Sequence, residues 1–193
     1  MLTVADLAFH AALGIDAALL ERAGVERVSD REARELLSMN GRHGEMSGIV
    51  YPYLDPDTGR PTTRRLRRDH PEIEGGKPKD KYLSAFGDAK HLYFPPDAAP
   101  LLADTSVLVV EVEAEKSALA LTAAATRAGR RVLVIGTGGC WGWRGRIGKT
   151  IDPNGARVDE TGPVPDLARI TWTGRDTVIL FDANAASNPK VQA

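Results

Sequence analysis

The sequence predicts an α/β protein, with a parallel sheet over residues 105–193 preceded by a small α+β region that contains a β-hairpin. Three observations predict it. The runs SVLVVEVE (106–113), RVLVIG (131–136) and DTVILFD (176–182) are apolar, β-branched and of strand length, the pattern of strands buried on both faces. The Ala-rich stretch AEKSALALTAAATRAG (114–129) stands between the first two and ends in Gly, as a helix does. Strand, helix, strand, loop, strand is the order of parallel crossovers.

The first forty residues read as short helices. Thr3 can cap VADLAFHAAL, and Asp16 starts AALLERA before Gly24. Ser29 with Glu32 forms a capping box ahead of ARELL, with Gly41 as its stop. Leu7, Leu13, Leu19, Leu20, Leu36 and Leu37 supply apolar faces, so this part reads as a helical cap. From 48 the period changes. GIVYPYL is strand-like, DPDTG is a turn, and PTTRRLRRD is a second, exposed strand carrying Arg60, Arg64, Arg65, Arg67 and Arg68. Residues 69–80 are polar and rich in Gly and Pro, hence a loop, and KYLSAFG and HLYFPP follow as short extended pieces. A division into domains 1–104 and 105–193 is expected, with a soft boundary at 96–104.

Beyond the second buried strand, residues 137–164 read as a long Gly-rich loop with Trp141 and Trp143, and PDLARI as a helical turn. Asn188 and Pro189 read as the cap and first position of a last helix with one turn of sequence. That is too short to sustain itself. The sequence is therefore expected to be a C-terminally truncated piece of a longer chain, leaving Val178 and Leu180 partly uncovered.

Composition narrows the function classes. Hydrophobic residues make up 42% of the 193 residues and charged residues 26%, which excludes collagen-like, coiled-coil and wholly disordered chains. The single cysteine, Cys140, excludes an internal disulfide and a Cys-rich zinc site. The formal charge of −1 gives no global field toward nucleic acid or anionic lipid, so such binding needs a local patch. No apolar run reaches the roughly 18 residues of a membrane span, and Asp6 without a basic leader argues against a secretory signal. A cytoplasmic protein with no membrane partner is expected.

In a parallel sheet, ligands bind beyond the carboxyl ends of the strands. Glu111 and Glu113 end the first buried run and Asp182 ends the third, with Glu115 and Asn184 nearby. Carboxylates at such ends are costly unless hydrated, paired or bound to metal. They suit Mg²⁺ or Mn²⁺, which take one or two carboxylates plus water and phosphate; simple solvation is the competing reading.

These motifs carry a resemblance. VVEVEAEKSALAL, with EAEK at 113–116, resembles the first motif of the TOPRIM fold, a strand ending in Glu before a helix. FDANAASNPKV (181–191) resembles its second, a strand ending in Asp-x-Asp. The chain is similar to a family of unknown function with a TOPRIM-like domain, encoded largely by phages, plasmids and other mobile elements, whose members carry an EGEKKALA-type motif and a Gly-and-Trp loop, here GTGGCWGWRG. SGIVYPY, the Arg-rich arm and KYLSA resemble the region before the TOPRIM motif of bacterial replicative primases, which places Lys81 on the template side. The resemblance implies Glu113 as catalytic Glu, Asp182 as metal-binding Asp, and Asn184 at the place of the second Asp. A metal site of Glu113, Asp182 and the neutral Asn184 would hold one Mg²⁺ or Mn²⁺ weakly. Ala114 stands where Gly is usual, and fits if its φ is negative.

The expected partners are single-stranded DNA or RNA and nucleotides, with a helicase or the rest of the polypeptide as further partners. Arg64, Arg65, Arg67, Arg68, Lys81, Lys116, Arg144 and Arg146 are the candidate nucleic-acid contacts, and Trp141 or Trp143 the stacking platforms. Three readings follow: Mg²⁺-dependent phosphoryl or nucleotidyl transfer of the primase type, a catalytically degenerate DNA-binding or helicase-recruiting module, and a small-molecule phosphate-binding α/β protein. WRGRIGKT (143–150) is no P-loop, because Trp143 replaces the first Gly and no helix follows. GTGGCW fails the dinucleotide pattern at Trp141. His10, His43, His70 and His91 have no ligand spacing, and Cys140 has no evident base.

Overall fold

Thr3, Asp16 and Ser29 each sit in extended backbone and accept a hydrogen bond from an N–H of the turn they start. In the computed structural model they begin α1 (Val4–Ala11), α2 (Ala17–Arg22) and α3 (Asp30–Leu36). The structure describes residues 1–39 and 44–182, in two units, Met1–Asp88 and a second from Ala89 onward.

Between α2 and α3 lies β1 (Glu26–Val28), a strand of three residues that is too short for any periodicity to announce. α3 ends well before Gly41. Ser38, at φ 51°, takes the left-handed position instead, and the Met39 N–H closes on Arg34 O at 3.0 Å. Gly41 and His43 lie outside the described residues.

The predicted hairpin is present as β2 (Gly48–Leu54) and β3 (Pro61–Arg68). The loop at 69–80 contains a small hairpin, β4 (Ile73–Glu74) with β5 (Lys77–Pro78), and β6 (Tyr82–Ser84) follows. The antiparallel order is β1-β2-β3-β6. β3 is thus an interior strand, not an exposed one: its backbone pairs on both sides, and Thr63, Leu66 and Arg68 are buried.

On one face, Val50 and Leu66 pack with Val28, Ala33, Leu37 and Met46. On the other, Tyr51 meets α1, where His10 Nε2 lies 2.9 Å from the Tyr51 hydroxyl and Nδ1 2.7 Å from Asp6 O. α1 therefore buries Asp6 and His10, while Leu13 is exposed. His10 is a core side chain with both ring nitrogens engaged.

Asp6 also binds the Arg27 guanidinium, whose Nε donates at 2.6 Å, and Arg27 reaches on to Asp69. The Arg27 hydrogen bond holds the Asp6 carboxyl well below the usual carboxylate range; burial opposes it and bonds from Thr3 assist. A depressed carboxylate contributes fully above its unfolded pKa of about 3.9, and that contribution is lost as pH falls toward the folded value. Denaturant melts between pH 6 and pH 2 should show a loss on the order of 2 kcal/mol from this group. Asp6→Asn should start lower at pH 6 and fall less steeply. Parallel curves for the two proteins would place the acid sensitivity elsewhere.

The second unit contains β7 (Leu108–Val112), α4 (Glu115–Arg127), β8 (Val132–Gly136), β9 (Arg144–Ile151), β10 (Arg157–Pro163) and β11 (Thr177–Leu180). β7 lies between β11 and β8, parallel to both. The α/β class and the parallel sheet are as the sequence predicts. Val109, Leu133 and Ile135 face a core that includes Leu92, Phe94, Ala98, Leu102, Val107, Val164 and Ile170. This packing draws residues 92–102 into the second unit, so the division falls at 88/89 and not near 104. α4 buries Glu115, Ala118, Leu119 and Ala123.

Two expectations for this unit need correction. Residues 137–164 are not one long loop. β9 and β10 form an antiparallel ribbon closed by a turn in which Asp152 accepts the N–H groups of Asn154 and Ala156. Its glycines mask the strand pattern. β11 is not buried on both faces: Val178, Ile179 and Leu180 are 45%, 59% and 53% exposed at the sheet edge, in line with the partial uncovering expected at Val178 and Leu180. The last predicted helix, with Asn188 and Pro189, lies outside the described residues.

Candidate functional site

Parallel pairing of β11 with β7 sets Leu180 beside Val112, so the residues that follow both strands emerge at one sheet edge. Asp182 donates its backbone N–H to Glu113 Oε1 at 3.3 Å. The loop after β8 closes over the same edge: Thr137 N–H donates to Val112 O at 3.0 Å and Gly139 N–H to Glu113 O at 2.7 Å. Gly139 has φ 125°, and a Cβ on Gly142 would lie 1.5 Å from Thr137 O, so this turn needs glycine at both places. Ala114 begins α4 at φ −133°, which an alanine adopts without strain.

Glu113 and Asp182 are thus neighbours, while Asn184 lies outside the described residues. No cluster of three or more His, Cys, Asp or Glu side chains able to hold a metal occurs among the described residues. Two strand-end carboxylates are a donor set that fits Mg²⁺ only with water or phosphate completing its shell. Lys116, in the first turn of α4, is half-buried and makes no polar side-chain contact among the described residues. On the ribbon, Arg144 and Arg146 are exposed, with the Arg144 guanidinium 5.6 Å from the Trp143 ring centre.

Behind the edge lies a cavity of about 330 Å³, lined by Glu111, Trp141, Trp143, Leu167, Ile179 and Phe181 among others. Burial pushes the Glu111 carboxyl above its ordinary range. Glu111 can be noticed in the sequence as a second acid on the strand. Its place in an apolar cavity cannot, because Leu167 and Ile179 are distant in sequence.

The basic strand of the first unit differs from expectation. Arg68 is no nucleic-acid contact: its side chain has no exposed surface. Its Nε and one terminal nitrogen donate to Glu45 O at 3.0 and 2.8 Å, and the other to Glu72 at 2.6 Å. That ion pair lowers the Glu72 carboxyl to about 2. Arg65 lies over the Tyr82 ring at 4.8 Å and Arg67 over Phe9 at 5.2 Å. Both are half-buried, as are Arg64 and Lys81, and neither of the latter makes a polar side-chain contact among the described residues.

No protein-family model and no curated protein sequence matches the chain. Among solved structures it is similar to the primase of Aquifex aeolicus, determined as its zinc-binding and RNA polymerase domains, at 17% identity and a TM-score of 0.47. The match covers 69% of this chain and 36% of that one, so it spans about a third of the solved primase chain. No helix among the described residues is long and apolar enough to cross a membrane.

Proposed function

We propose that the second unit handles phosphate groups of nucleotides or single-stranded nucleic acid with the help of a weakly held Mg²⁺, in chemistry of the primase type. The observation that carries this reading is the meeting of Glu113 and Asp182 at the carboxyl edge of two adjacent parallel strands. Glu113 and Asp182 would hold the ion, with Asn184 as the further ligand. When bound, it supplies positive charge against a phosphate and its developing negative charge. Glu113 presents one oxygen to the Asp182 N–H and keeps the other for an ion or for a proton from an attacking hydroxyl. Lys116 places a positive charge at the same end of the sheet.

The test has two stages. Mn²⁺ titration followed by paramagnetic relaxation should show binding that Glu113→Gln weakens by roughly tenfold or more, since it removes one of two charges on the ion. Nucleotide incorporation on a single-stranded template should then require Mg²⁺ and disappear in the same variant. No Mn²⁺ binding in the intact protein sinks the ion reading. Binding without incorporation or strand cleavage returns the protein to a degenerate nucleic-acid-binding role, which a neutral Asn184 at the place of the second Asp favours.

A further inference from the structure

The cavity beside the strand-end carboxylates combines features that specify a ligand. Its volume, about 330 Å³, lies at the small end for ligand sites and suits one ring system. Trp141 and Trp143 line it together with Leu167, Ile179 and Phe181. Such walls favour a flat, polarisable ring, which stacks on aromatic faces. Among the described residues that line it, Glu111 is the one that carries a charge. A carboxylate accepts hydrogen bonds and donates none, through two oxygens side by side. The ring must therefore present adjacent N–H donors, or it leaves the acid unpaired in an apolar setting.

Among the common bases, guanine alone offers two neighbouring donor groups, N1–H and the N2 amino group, on its Watson–Crick edge. Adenine and cytosine set one amino group beside a ring nitrogen whose lone pair would face the carboxylate. Uracil and thymine flank one N–H with carbonyls. We propose that this cavity is a guanine-base pocket, in which the tryptophans stack on the ring and the Glu111 carboxylate accepts its N1–H and N2–H bonds. The register supports a nucleotide seated this way. Glu111 lies two residues before Glu113 at the carboxyl end of β7, and Phe181 directly precedes Asp182. The phosphate end of the ligand then runs toward the strand-end carboxylates, a clause that rests on the reading above; recognition of the base does not.

The experiment uses the full chain, nucleosides without phosphate, and a chelator in place of metal. Titration by tryptophan fluorescence and calorimetry should show guanosine binding tighter than adenosine by roughly tenfold or more, the discrimination expected of a two-bond base contact. Inosine, which lacks the N2 amino group, should bind severalfold more weakly than guanosine. Glu111→Gln should remove the preference while leaving the thermal melt in place. Equal binding of guanosine, adenosine and inosine overturns the proposal, as does a preference that survives in Glu111→Gln. Should that variant fail to fold, the guanosine–inosine comparison on the intact protein still decides. With phosphate and metal both excluded, failure here leaves the Mn²⁺ reading standing, and failure of the Mn²⁺ titration leaves this one standing.

Discussion

Arg175→Ala is expected to be the most damaging single substitution in the second unit, at roughly 3–5 kcal/mol. Arg175 is buried just ahead of β11. Its Nε donates to Val107 O at 2.7 Å, and its two terminal nitrogens to Leu102 O at 2.9 Å and Leu101 O at 2.8 Å. The guanidinium thereby ties the entry of β11 to the segment that leads into β7. Burial draws its pKa down from the ordinary value, but a guanidinium stays charged. Alanine would take a charged donor from the Val107 and Leu101 carbonyls, leave Leu102 O with the Thr171 N–H, and open a void beneath the sheet. Lysine carries the charge but not the planar fork, so Arg175→Lys should recover only part of the loss. Urea melts followed by tryptophan fluorescence give the comparison. A cost below about 1 kcal/mol for the alanine variant would mean that water replaces the guanidinium freely, and that β11 is held by its pairing alone.

The meeting of Glu113 and Asp182 at one sheet edge was legible because its signal is local. VEVEAEK and LFD are contiguous stretches, and parallel crossovers bring their ends to one edge whatever the loops do. The helix starts were legible for the same reason: Thr3, Asp16 and Ser29 cap through residues three positions on. What failed was of another kind. The β9–β10 ribbon is written as Arg-Gly-Arg-Ile-Gly-Lys-Thr-Ile, where exposure on both faces erases the apolar alternation that marks a half-buried strand. The apolar run of β11 matches that of an interior strand, yet its place at the edge exposes it. The division at 88/89 turns on Leu92, Phe94, Ala98 and Leu102 joining a core whose other members begin at Val107. Burial is decided by neighbours distant in the chain, and no spacing rule reports them.

Arg68 is the sharpest instance, and its substitution is the second large effect expected. As one of several arginines in PTTRRLRRD it looks like a phosphate contact. In the folded chain it is a core residue whose guanidinium holds Glu45 O and Glu72. Arg68→Ala should cost the first unit roughly 3 kcal/mol, from lost charge-assisted bonds and the void left behind. Arg64→Ala with Lys81→Ala should leave the melt within about 0.5 kcal/mol of the parent, as for ordinary surface changes. The two sets should part again in single-stranded DNA binding measured against salt. Each phosphate contact removed lowers the slope of log affinity on log salt by roughly 0.7 for single strands. The Arg64, Lys81 pair should therefore flatten it, while Arg68→Ala, assayed below its melting temperature, should keep the parent slope. A flattened slope in Arg68→Ala together with an unchanged melt would put that guanidinium back on the surface and overturn its place in the core. A parent slope in the Arg64, Lys81 variant would remove those two side chains from the candidate nucleic-acid contacts, leaving Arg65 and Arg67 of β3 and Lys116, Arg144 and Arg146 of the second unit to test.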